Sequence, residues 1–93
     1  WRAAVHAKAE DYRASATIDL LHDRESRARG EKIACDLLVM CGERGVVHRL
    51  FDPATLWQAQ CAGPVTYQAV PSGHYIPEEL PDLTAQALLE FMR

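Results

Sequence analysis

Leu37-Leu38-Val39-Met40-Cys41 is an apolar run with no polar alternation, the pattern of a strand covered on both faces and therefore of a parallel sheet flanked by helices. Gly42 ends the run. Asp52-Pro53 then supplies an N-cap with proline at the first helical position, and Ala54, Trp57 and Cys61 fall on one face of the helix that follows. Gly63-Pro64 breaks that helix, Val65 to Val70 reads as a second strand, and Pro81 opens a last helix. In that helix Leu80, Leu83, Ala87, Leu88, Phe91 and Met92 are expected on the buried side. Strand, helix, strand, helix with short connections predicts a parallel βαβα unit with a right-handed crossover. Two parallel strands cannot cover both faces and their edges alone, so the expectation is that further sheet belongs beside them.

The residues before this unit have a different character. Trp1, Val5, Ala9, Tyr12 and Ala16 recur at steps of four or three and lay an apolar stripe along a helix, with Arg2, Lys8, Glu10 and Arg13 opposite. Asp19 to Arg29 is charge-dense and predicts a second, solvated helix that stops at Gly30. The change in character places a boundary near residue 30, dividing the chain into 1–30 and 31–93. No repeat or low-complexity segment is present.

Charge and composition exclude several functions. The formal net charge is −3 with acids and bases interleaved, so no basic face is offered to a phosphate backbone and nucleic-acid binding is not expected. No apolar stretch approaches the ~20 residues of a membrane span. The chain opens on Trp1-Arg2-Ala3 without a basic-then-apolar leader and has 93 residues, from which a soluble piece of a longer protein is expected. Cys35, Cys41 and Cys61 form no C-x-x-C pair, so neither a zinc site nor a disulfide framework is predicted; reduced, largely buried thiols of a cytoplasmic protein are the expectation. His6, His22 and His48 lack metal-ligand spacing, and His22-Asp23 point about 100° apart on a helix. Neither a metal nor another cofactor is expected. Surface or packing roles are expected for all three histidines, with the loop of His48 lying near the expected mouth of the site. Trp57 is expected in the packing of its helix against the sheet.

Pro71-Ser72-Gly73-His74-Tyr75 carries the candidate chemistry. His74 follows the carboxyl end of the second strand, and ligands of open α/β sheets bind outside those ends. Its near-neutral pKa suits a general base, and Gly73 is expected to take a backbone conformation that aims the ring inward. The competing reading is a loop histidine that touches only solvent. A histidine this late in the chain fits the last member of a nucleophile, acid, histidine order, yet no G-x-S-x-G elbow precedes it.

Several separated motifs together resemble one family. Glu10-Asp11-Tyr12-Arg13-Ala14, Ile18-Asp19-Leu20, His22-Asp23, Leu37-Leu38-Val39 running into Gly42-Glu43-Arg44-Gly45, His48-Arg49-Leu50-Phe51-Asp52 and Gly73-His74-Tyr75 are similar to the C-terminal third of the haloacetate dehalogenases, with the fluoroacetate dehalogenases nearest. The resemblance implies the C-terminal part of an α/β-hydrolase core over 31–93, preceded over 1–30 by the last helices of a helical cap. It implies an aspartate nucleophile that displaces halide from the carbon beside a carboxylate, and a histidine that activates water to hydrolyse the resulting ester. His74 matches that base. Tyr12 matches a cap tyrosine of the halide pocket, where a phenol donates to the departing anion, although packing in a core also fits its stripe. The nucleophile and the substrate-holding arginines have no match in this chain.

Gly45 departs from the superfamily's Gly-x-x-Asp pattern for the triad acid. The resemblance implies an acid after an earlier strand, as in haloacetate dehalogenases; Glu43 and Asp52 are local substitutes that water exposure and N-capping explain better. The expected substrate of the full-length enzyme is a small halogenated carboxylate. The resemblance also admits a homodimer through cap and late helices, for which no residue pattern specifies the interface. Competing readings are an epoxide hydrolase or serine esterase of the same fold, and a non-catalytic truncated product that acts as an interaction piece.

Overall fold

A computed structural model describes residues 1–93 as two units, Trp1–Lys32 and Ile33–Arg93. The first is a pair of helices in contact, α1 (Arg2–Ala16) and α2 (Ile18–Ala28). Thr17 separates them with φ −130° and ψ −94°. Its hydroxyl donates to the Arg13 carbonyl at 2.8 Å while its own carbonyl accepts the Leu21 N–H at 3.2 Å, so one residue closes α1 and opens α2. Gly30, at φ +70°, ends α2: its N–H donates to Arg27 O at 3.0 Å and the Glu31 N–H to Ser26 O at 3.1 Å, the paired bonds of a Schellman cap. Glu31 then reinforces the stop by accepting from Ser26 Oγ at 2.8 Å and pairing with Arg29 Nε at 2.5 Å, which holds its carboxyl below the usual range. The apolar stripe of α1 is not buried within this unit. Neither helix buries a residue, and Tyr12 is 80% exposed. Two helices alone have no third element to enclose the stripe.

The second unit contains β1 (Leu37–Gly42), α3 (Val46–Leu50), α4 (Pro53–Gln58), β2 (Val65–Val70), α5 (Ile76–Glu79) and α6 (Pro81–Phe91). The strands pair in parallel from Leu37 opposite Val65 to Gly42 opposite Val70, and Ile33 extends the pairing by a bridge to Cys61. α4 forms as its residues dictate: Asp52 accepts the Thr55 N–H at 3.3 Å and its hydroxyl at 2.7 Å, and Pro53 occupies the first turn. α4 packs on both strands, and the alternation of β2 sends Tyr67 toward α3 while Thr66 and Gln68 share an open groove with Ala87 and Phe91 of α6. The result is a mixed helix and strand unit around a small parallel sheet of two strands.

Three expectations about packing need correction. The buried apolar residues are Val39, Cys61, Val70 and Ala87, so α6 buries only Ala87 while Leu88 and Met92 stay exposed. α4 stops at Gln58, short of Cys61, and Trp57 is 45% exposed rather than packed. Cys35 is exposed, Cys41 half-buried and only Cys61 buried. The common cause is size: two strands with a few short helices cannot enclose the apolar faces of those helices. No helix is long and apolar enough to cross a membrane.

Candidate active site

The carboxyl end of β1 opens into a cavity of about 400 Å³. Met40, Cys41 and Gly42 of β1 form one side, Val46, Val47 and His48 of α3 the second, and His74 with Ile76 the third. The walls are apolar except for two imidazoles. His74 is exposed at its outer side and lines this cavity at the strand ends, its ring edge-on to Tyr75 with centroids 5.0 Å apart.

The turn that carries His74 is fixed from both sides. After Val70 the chain reverses about Pro71, with the Ser72 N–H donating to Val70 O at 2.8 Å, and Ser72 is fully buried with its hydroxyl on Gly73 O at 3.0 Å. Glu43 N–H donates to Val70 O at 2.8 Å and Arg44 N–H to Ser72 O at 3.1 Å, carrying the sheet pairing on into the loops. Glu79 of α5 accepts the Gly73 N–H at 3.1 Å and lies 3.6 Å from Arg44 Nη2. Gly73 itself has no positive φ, contrary to expectation; the only glycine of the chain with one is Gly30. What Gly73 provides is room, because a Cβ there would come within 3.2 Å of Glu79 Oε2.

His48 belongs to the same cavity. Its Nδ1 and Tyr67 Oη hydrogen-bond at 2.7 Å, and the two rings lie nearly parallel, 9° apart with centroids at 6.3 Å. Burial pushes the Tyr67 phenol up, and Cys41, Asp52 and Glu43 add to the shift, so the phenol stays protonated across the neutral range. The structure thus brings together His74 and His48 in one unit. Tyr12 sits in the other unit, on α1. Sequence reasoning missed the Tyr67 partnership, Ser72, and the Glu79–Arg44 clamp. No group of histidine, cysteine and acidic side chains is arranged to hold a metal ion.

Comparison with known proteins bears on this arrangement. The chain is 36% identical over 94 residues to a fluoroacetate dehalogenase from a Burkholderia species, a match that takes in 99% of this chain and 30% of that protein. A crystal structure from Salmonella enterica, provisionally designated an acyltransferase, superposes with a TM-score of 0.84 at 36% identity, covering 95% of this chain and 28% of the other. The chain folds as a portion of an α/β-hydrolase. It spans less than a third of the length of either relative. No family model matches it.

Proposed function

We propose that this chain supplies the general base, His74, of a haloacetate dehalogenase-type hydrolase whose nucleophile lies on polypeptide outside these 93 residues. The observation that carries the reading is the seat of His74, on a braced turn at the carboxyl end of β2 and facing a small apolar cavity. Similarity to fluoroacetate dehalogenase along 99% of the chain supports this reaction class. An aspartate oxygen bonds to the carbon bearing the halogen, and the carbon–halogen bond breaks with its electrons leaving on the halide. Water then adds to the carbonyl carbon of that ester and passes a proton to His74. The ester bond breaks, His74 returns the proton to the departing alkoxide, and a hydroxy acid leaves. Residues 1–30 act as the end of a cap, with Tyr12 as a donor to the departing halide.

A second reading keeps His74 as base and changes the ester to an acyl-enzyme. The equal identity to the acyltransferase-designated chain favours it.

The test is a chimera in which this chain replaces the matching stretch of the Burkholderia protein, assayed for fluoride release from fluoroacetate. Dehalogenation predicts fluoride release, and the 93-residue chain alone releases none. A chimera that unfolds cooperatively yet releases no fluoride contradicts the reading; the acyl reading is tested by placing this chain in the Salmonella acyltransferase-designated protein, where hydrolysis of p-nitrophenyl acetate would support it.

A further inference from the structure

His48 is unused by the reaction just described, yet it lines the cavity of His74 and is held more firmly than an exposed loop histidine. Tyr67 of β2 stands beside it, with its oxygen 2.7 Å from Nδ1 and its ring nearly parallel to the imidazole. A partner fixed on one ring nitrogen decides which nitrogen carries the proton and where the other is offered. With the Tyr67 hydroxyl as donor, Nδ1 accepts and the proton sits on Nε2; with Nδ1–H as donor to the phenol oxygen, the tautomer is reversed. The Tyr67 bond is the one side-chain hydrogen bond His48 makes, so Nε2 is open to a ligand.

We propose that His48, held by Tyr67 in the tautomer protonated on Nε2, is a second ligand-contacting side chain of the cavity and donates to the carboxylate of a small organic acid. The lining chemistry suggests the ligand class: the carbon body of a short carboxylic acid can lie on the apolar walls at Met40, Val46 and Ile76 with its oxygens toward the imidazoles, whereas a bare halide makes no use of those walls. The assignment rests on the dehalogenase reading for the identity of the acid, but not for the tautomer or the contact.

The experiment uses the 93-residue chain, labelled with ¹⁵N in its histidine rings, at neutral pH. Long-range ¹H–¹⁵N spectra read the tautomer directly: His48 is expected as the Nε2–H form, and Tyr67→Phe is expected to mix the two forms. Sodium acetate and chloroacetate are expected to shift the His48 Nε2 signal, sodium chloride to leave it in place, and Tyr67→Phe or His48→Gln to weaken acetate binding roughly tenfold, the loss of one charge-assisted hydrogen bond. An Nδ1–H tautomer overturns the proposal, as does a His48 signal unmoved by acetate. A response to chloride equal to that for acetate overturns the carboxylate assignment. Both key readouts come from the unaltered chain, so they stand even if a variant fails to fold. If the chimera releases no fluoride while His48 answers acetate, the dehalogenase reading falls and this site remains.

Discussion

A Cβ placed on Gly42 would lie 2.1 Å from the carbonyl oxygen of Gly73 and 2.6 Å from that of Ser72. The last residue of β1 therefore touches the turn that presents His74, backbone against backbone, and neither flexible side chains nor water separate them. Gly42→Ala forces that turn outward. The expected cost is about 1–3 kcal/mol, in the range of core overpacking, read by denaturant unfolding. Fluoride release by the chimera should fall further than the stability loss accounts for, because the displaced segment carries the base. An alanine variant with unchanged His74 chemical shifts would contradict this contact.

Gly30 tests backbone strain without packing. Its φ is +70°, and a Cβ there meets nothing within 4 Å. Gly30→Ala should cost roughly 1–2 kcal/mol, all of it conformational. Hydrogen exchange at Gly30 and Glu31 should accelerate, because their N–H groups close the cap of α2. Equal exchange in the two proteins would show that the cap does not depend on glycine.

Glu79 holds the Gly73 N–H, and Arg44 holds Glu79. Glu79→Ala should speed exchange of the Gly73 amide and broaden the His74 ring signals. Glu79→Gln keeps an acceptor oxygen and should preserve most of the protection, losing only the ion pair with Arg44. Loss of protection to the same degree in both variants would mean that charge, rather than the hydrogen bond, braces the turn.

Asp52 gives the chain a pH response. Its hydrogen bonds from Thr55 hold its carboxyl below the ordinary carboxylate range. A lowered folded-state pKa means the stabilisation is present at neutral pH, above the unfolded pKa, and is lost as pH falls through the folded value. Asp52→Asn keeps an N-cap acceptor and should remove this acid sensitivity with little change at pH 7; Asp52→Ala should be less stable at neutral pH as well. Unfolding curves collected from neutral to strongly acidic pH check both.

Much of this architecture is legible in local chemistry. The Leu37–Cys41 run, the Asp52-Pro53 start, Gly30 and Pro81 each act through neighbours a few residues away, and each appears where its own physics puts it. α3 does not show in the sequence, because Val46-Val47 is a β-branched pair that argues against a helix. α5 was readable: Pro77 followed by Glu78 and Glu79 is a helix-start signature. What local pattern cannot express is distance across the fold. Tyr67 reads as any strand tyrosine and His48 as any loop histidine until β2 and α3 set them 2.7 Å apart, and the tight approach of Gly42 to Gly73 depends on strand register. Burial fails for a related reason. Amphipathic stripes name the face a helix would bury, but Leu88, Met92 and Tyr12 stay exposed because a stripe does not supply the element that covers it.

The base role of His74 is the claim on which the functional reading turns, and mass spectrometry of the His74→Asn chimera after incubation with chloroacetate tests it most directly. The account predicts that chloride is released in a single stoichiometric burst and that the protein gains one carboxymethyl group, an ester that forms and is not hydrolysed. Continuous turnover by that variant, with no adduct, would contradict it.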